Sequence, residues 1–232
     1  MGLLGNTGAI GRSRERLDSG RIGEMIMRTC HFTAILGLLA LAFATAGITQ
    51  AEARVRIKER TTFYSVTGTS GAAIFSSIRR RGPRANRAHA IATTLTETSI
   101  TDVQSTVRRG RCVLSRFNVR MKITYRLPRW RSARGTNRRL RSAWANFSRQ
   151  VKRHEDRHGA ISKRYARDLN RALRRLSIRA RGGNCNRFPA KVRATFDTLT
   201  RTMNRRHASF DRRESRMLSR SSRAQTALYR AR

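Results

Sequence analysis

His154, Glu155 and His158 form the pattern His-Glu-x-x-His inside the stretch VKRHEDRHGA at residues 151–160. Residues four apart on a helix project side by side, so two imidazoles at this spacing can hold one divalent ion. Glu155 then lies on the flank of the pair, where a carboxylate can take a proton from a water activated by that ion. Zinc is the ion that suits such a set, and hydrolysis of a peptide bond is the chemistry it suggests. The alternative is a solvated, arginine-rich helix in which two histidines serve a structural network.

The pattern around the motif favours the inward reading. Leu140, Trp144, Phe147 and Val151 recur at steps of three and four, and so do Ile161, Tyr165, Leu169, Ala172 and Leu176. These steps mark one face of an amphipathic helix over about 137–180. Positions 154 and 158 continue that stripe, so both histidines fall among residues that bury. So long a helix is expected to kink or break at Gly159, or to fray near Arg181. Gly182-Gly183 ends it, and a second amphipathic helix follows Pro189, with Val192, Phe196, Leu199, Met203, His207 and Phe210 on one face.

A catalytic zinc needs a third protein ligand. Ile161 and Arg164 stand where the longer metzincin motif would have its Gly and His. Asp168 lies ten residues beyond His158 on the same helix, roughly 15 Å away along the axis, and cannot close the site. His207, Asp211 and Glu214 cluster at the end of the second helix, whose apolar face should pack on the first. Asp211 is the favoured ligand, with His207 second and Glu214 also open.

The elements before the helices read as strands. Residues 54–67 alternate and end at Gly68, residues 90–104 are rich in Thr, Ile and Val, and residues 112–127 alternate cleanly. In the last of these Val113, Phe117, Val119, Met121, Ile123, Tyr125 and Leu127 form the apolar face, and Pro128 should terminate the strand. The fold class is therefore α+β, a small antiparallel sheet followed by two long helices. The strand at 112–127 is the one expected to offer an edge to an extended peptide. A short helix with Ile74 and Ile78 four apart lies between the first strands, closed by Gly82-Pro83.

Composition sets the compartment and the partners. From Met27 the chain reads MRTCHFTAILGLLALAFATAGITQAEA, with Arg28 before an apolar run and Ala51-Glu52-Ala53 as an A-x-A cleavage site. Residues 25–53 read as a signal peptide, 1–24 as an untranslated or disordered extension, 54–214 as the folded domain and 215–232 as a basic disordered tail. The mature form is then exported, periplasmic or extracellular, and does not span a membrane. Cys30 leaves with the signal peptide, and the remaining Cys112 and Cys185 suggest one disulfide. Lys plus Arg number 52 against 13 Asp plus Glu, a formal net charge of +39. Such a field attracts anionic polymers, lipid headgroups and acidic substrates without a dedicated site. Few aromatics interleave with the arginines, which argues against a specific nucleic-acid reader.

The segments YSVTG (64–68), GP (82–83), Cys112 before a strand ending in ITYRLPRW (123–130), W..F...V..HEDRH (144–158) and NC (184–185) together resemble a bacterial family. It is labelled domain of unknown function 922 and described as predicted secreted zinc-dependent proteases. The resemblance runs from about Arg54 to Glu214. It implies His154 and His158 as zinc ligands and Glu155 as general base. Phe210-Asp211 matches an aromatic–Asp pair near the family's end, which supports Asp211 as third ligand, whereas Arg216-Met217 stands near where the family has His-Gly. The reading is a secreted zinc-dependent peptidase acting on peptides or proteins. The rival is a non-catalytic basic envelope protein that binds anionic polymers or lipid headgroups.

Overall fold

Alternation and helical periodicity in this chain resolve into six strands and four helices among the described residues. The computed structural model describes residues 52–85, 88–216 and 220–231. The expected extension at 1–24 and nearly all of the expected signal peptide lie outside them. In order the elements are β1 (Glu52–Val66), α1 (Gly71–Arg81), β2 (Arg84–Ala85), β3 (Ala88–His89), β4 (Thr93–Arg108), β5 (Arg111–Trp130), α2 (Arg138–Arg175), β6 (Ser177–Arg179), α3 (Phe188–Arg216) and α4 (Arg220–Tyr229).

The main sheet runs β1-β5-β4, with β6 also on β5, while β2 and β3 form a separate two-stranded sheet. β4 and β5 make an antiparallel hairpin from Arg108↔Arg111 onward. Its two-residue turn is Arg109-Gly110, both at positive φ (47° and 71°). That is the turn whose twist matches the strands, and it favours glycine at one of its two positions.

β1 pairs with β5 in parallel, from Glu52↔Arg116 to Val66↔Trp130. The sheet is therefore mixed, not antiparallel as the alternation suggested, because period-2 patterning carries no information about strand direction. It also makes β5 the central strand. β4 pairs it on one side, and β1 and β6 share the other. Over Arg116–Arg126 β5 is flanked on both sides and has no edge to offer a peptide; the outer strands of this sheet are β4 on one side and β1 and β6 on the other. Pro128 does not end β5. It lies beyond Arg126, the last residue of β5 that β4 pairs, on a stretch with one neighbour only, where a missing N–H is tolerated.

One face of β5 builds the main core. Phe117, Val119, Met121, Ile123, Tyr125 and Leu127 cluster with Tyr165, Ala166, Leu169 and Leu173 of α2 and with Phe188, Val192, Phe196 and Met203 of α3. The buried set changes parity near the hairpin. There Cys112 and Leu114 are buried and Val113 is only half-buried. A register shift between Gln104 and Ser105 accounts for it, since one extra residue in β5 turns every side chain beyond it to the other face.

α2 runs 38 residues without a break. Asn137 caps it, its side chain accepting from the Leu140 N–H at 2.8 Å. The helix is not broken at Gly159. A Cβ there would fall 1.9 Å from the Tyr125 hydroxyl, so the glycine permits close approach of α2 to β5. The helix stops at Arg175 rather than near 180, because Ser177–Arg179 pair with Arg111–Val113 as β6. Beside this pairing Cys112 and Cys185 form a disulfide that spans 73 residues of chain.

The tail expected to be disordered contains α4. Its Leu228 and nearby Ala231 are buried with Tyr64, Val66, Ile74, Phe75, Ile78, Leu140 and Phe147 in a second core cluster. The Gly71 N–H donates to the Ala231 carbonyl at 2.8 Å. A Cβ at Gly71 would lie 1.7 Å from the Leu228 carbonyl oxygen, so glycine is what lets α4 close over the start of α1. A Ser/Arg-rich segment offers little periodicity, yet the burial of Ala224, Leu228 and Ala231 suffices against a ready-made apolar surface.

Candidate metal centre

α2 and α3 pack so that the stripe of one faces the stripe of the other across β4 and β5. Midway along α2 the stripe turns polar: Glu155, His158 and Ser162 are buried, and His154 is nearly so. α3 answers with His207 and Asp211, also buried. β4 answers with Thr94, Thr96 and Thr98 on its inner face.

Three donor atoms converge. Asp211 Oδ1 lies 2.9 Å from His158 Nε2 and 3.4 Å from His154 Nε2. The two Nε2 atoms lie 3.2 Å apart. Ligands about 2.0–2.1 Å from a tetrahedral zinc are separated by roughly 3.3–3.4 Å. The triangle is therefore close to one face of such a tetrahedron, and its two imidazoles and one carboxylate are a donor set that zinc accepts. Of the candidates for a third ligand, the arrangement brings Asp211 to this point.

His207 and Glu214 sit behind the histidines instead. His158 Nδ1 lies 2.8 Å from His207 Nδ1, and His154 Nδ1 lies 3.9 Å from Glu214 Oε2. Each imidazole thus turns Nε2 inward and Nδ1 toward an outer partner, the arrangement that orients metal-binding histidines. Proton placement follows. With His158 Nε2 free to ligate, its Nδ1–H donates to His207 Nδ1, and the His207 proton sits on Nε2, 3.4 Å from Ser162 Oγ. Ser162 donates to the His158 carbonyl at 3.1 Å and lies 2.8 Å from Thr96 Oγ1. Burial pushes the His207 pKa down to about 4, aided by the charge of His158 and opposed by Asp211, which keeps this ring neutral and able to accept.

Glu155 is 1 % exposed, and Thr94 Oγ1 donates to its Oε2 at 2.6 Å. Burial raises its pKa, while the Thr94 hydrogen bond and the charges of His158 and His154 pull it down, and Asp211 adds to the rise. A carboxyl shifted upward is better matched to taking and returning a proton near neutral pH than an ordinary glutamate. For His154, burial lowers the pKa, but the hydrogen bond to Asp211 and the charges of Glu155, Asp211 and Glu214 outweigh it and the net direction is up. Phe210 lies against both rings, with centroids 4.9 Å from His154 and 5.1 Å from His158. His154, 12 % exposed, is the most open of the three candidate ligands.

Thr94, Thr96, Ser162 and the supporting place of His207 did not emerge from motif reasoning. One signal was legible: Thr94, Thr96 and Thr98 alternate on one face of a strand, which sets three hydroxyls toward whatever covers it. Asp168 lies elsewhere, taking Arg171 of its own helix and Arg206 of α3.

Fold and site together define an α+β protein with a buried His-His-Asp group able to hold a metal ion and a buried glutamate next to it. The model of the family described as "Bacterial protein of unknown function (DUF922)" matches residues 61–217, and the chain belongs to that family. No curated protein and no solved structure matches it. The disulfide is consistent with export, and no helix among the described residues is long and apolar enough to cross a membrane.

Proposed function

We propose that this protein is an exported zinc-dependent peptidase, with α2 serving as a zincin-like His-Glu-x-x-His helix. The observation that carries the reading is the triangle of His154 Nε2, His158 Nε2 and Asp211 Oδ1, with edges of 2.9–3.4 Å. A zinc ion bound there would polarise a substrate carbonyl and acidify a water. Glu155 is the general base. It takes the proton of the attacking water and returns it to the leaving amine, and its hydrogen bond from Thr94 fixes the carboxylate for both steps. His207 fixes the tautomer of His158 through Nδ1. An extended substrate has the outer edge of β4 available, since β4 ends the sheet on the side that carries Thr94. The disulfide supports a periplasmic or extracellular location.

The test is to purify the chain, quantify bound zinc and compare cleavage of a mixed peptide library by wild type and Glu155→Gln. Stoichiometric zinc in both, with cleavage by wild type alone, supports the peptidase. A metal-free protein that cleaves nothing would sink it, as would cleavage unchanged by Glu155→Gln.

A further inference from the structure

The sheet has a second face. Opposite the core, Arg56, Lys58 and Arg60 of β1 and Arg120, Lys122 and Arg126 of β5 are all exposed. The parallel register sets Arg56 directly beside Arg120 and Lys58 directly beside Lys122. Paired strands lie about 4.8 Å apart, and same-face residues recur about every 6.6 Å. Like charges directly opposite each other destabilise a sheet. The acids beside this strip with described side chains lie on β4: Glu97, 3.1 Å from Lys122, and Asp102, 3.8 Å from Arg120. The side chains of Arg56, Lys58 and Arg60 have no hydrogen-bond or ion-pair partner among the described residues. Some helical arginines are paired, Arg206 with Asp168, Arg205 with Thr202 and Arg213 with Ser209. The side chains of Arg139, Arg149, Arg153 and Arg167 are as unpartnered among the described residues as those of the strip. What sets the strip apart is the opposed register of its cations.

Two ordinary explanations fall short. Charged side chains on an edge strand discourage unwanted pairing, but Arg120 and Lys122 lie on the central strand. A wet face needs only polar residues, and β4 supplies Thr93, Ser99 and Thr101 on the same face. The cations form two adjacent rows, about 13 Å long on β1 and about 20 Å long on β5. At one end the rows meet a cavity of about 490 Å³ lined by Thr62, Arg84, Thr93, Thr124 and Arg126 among others.

We propose that the β1–β5 face is a docking strip for a linear polyanion without bases, a chain of phosphate, sulfate or carboxylate groups. The rows are two strands wide and bordered by Glu97 and Asp102, which a broad anionic membrane would meet and a narrow chain would avoid. The rows themselves carry no aromatic side chain on which bases could stack, and Phe63, which lines the cavity at their end, has a ring face already covered by the Arg129 guanidinium at 4.0 Å. The Thr93 and Thr124 hydroxyls and the Arg84 and Arg126 guanidinium groups at the end are donors suited to anionic oxygen, while the Thr62 hydroxyl is already spent on the Tyr125 carbonyl. This inference is independent of the metal site.

The experiment measures binding of the full chain to heparin and to long-chain polyphosphate over a salt series. Arg56→Thr/Lys58→Thr/Arg120→Thr/Lys122→Thr is compared with a charge-matched helix variant, Arg139→Gln/Arg149→Gln/Arg153→Gln/Arg167→Gln. The sheet variant should lose at least about tenfold in affinity at a given salt and flatten the salt dependence by roughly three counterions, whereas the helix variant changes less than about threefold. Its melting temperature should equal or exceed that of wild type, because opposed like charges are removed. Should the fourfold variant misfold, Lys58→Thr/Lys122→Thr carries the same test with a smaller loss. Equal losses in sheet and helix variants would overturn the proposal in favour of a diffuse field. So would binding of anionic vesicles or oligothymidine through this face as tightly as of heparin and polyphosphate.

Discussion

Three stretches of α2 lie on one stripe and meet different company. At the start, Leu140 and Phe147 enter an apolar cluster with Phe75, Val66 and Leu228. At the end, Tyr165, Leu169 and Leu173 enter the apolar face of β5. Between them Glu155, His158 and Ser162 are as deeply buried as their apolar neighbours, yet nearly every polar atom has a named partner. Burial alone does not separate core from site. The difference is that β4 and α3 present Thr94, Thr96, His207 and Asp211 to the middle stretch only. A buried polar cluster is tolerable when its hydrogen bonds are made, and costly when one partner is removed.

The sharpest way to break that comparison is a pair of truncations. Phe147→Ala should cost about 3–5 kcal/mol in urea unfolding while leaving zinc affinity of the folded protein nearly unchanged. Asp211→Ala removes a buried partner of His158, which costs about 1–3 kcal/mol of stability. Unlike Phe147→Ala, it should lower zinc affinity of the folded protein by more than the roughly 10–100-fold typical of outer partners, as read by calorimetric titration. If both variants lost affinity alike, site and core would be one unit.

Gly159 marks the seam between the middle and the end of the helix. Gly159→Ala should destabilise by about 1–3 kcal/mol, because the new methyl overpacks against Tyr125. Adding Tyr125→Phe should restore part of that loss and not all, since the ring carbon Cζ remains 2.9 Å from the Cβ position. Full recovery would mean that the hydroxyl alone opposes the methyl.

Tyr165 tests the apolar flank by pH. Burial raises its hydroxyl from 10.0 to about 12, against the hydrogen bond with Thr200, which lowers it, and with a further rise from the charge of Asp197. A raised acid is protonated in the folded state while the unfolded chain ionises, so the effect is absent below pH 10 and stability falls as pH rises from 10 to 12. The loss reaches about 2–3 kcal/mol. Tyr165→Phe should flatten this alkaline limb in a stability–pH profile; an unchanged slope would assign it elsewhere.

His207 gives the smallest effect and the finest distinction. His207→Phe should lower zinc affinity about 10–100-fold through loss of the Nδ1 partner of His158. His207→Gln, which keeps an acceptor, should recover part of it. Equal affinities for the two variants would make His207 mere packing.

Much of this was legible in the chain. The stripe through Val151, His154, His158 and Ile161 turned the histidines inward, and the even cysteine count pointed to the Cys112–Cys185 bridge. Asp211 stood out because few acids follow His158. What was not legible shares a cause. The parallel pairing of β1, the order of α4 and the true duty of Gly159 depend on contacts between segments tens of residues apart, which local periodicity cannot register. His207 and Asp211 have the same helical spacing to their neighbours; only the packing of α3 on α2 placed the carboxylate at the donor triangle and the imidazole behind it.

The sequence by itself determined which residues could do chemistry and which face of each element they occupy, because side-chain direction follows from a period of 3.6 or 2. The tertiary structure decided which of those faces meet. That choice is set by the summed burial of whole elements, and it turned one polar stretch into a closed donor set while leaving the far face of the same sheet to its cations.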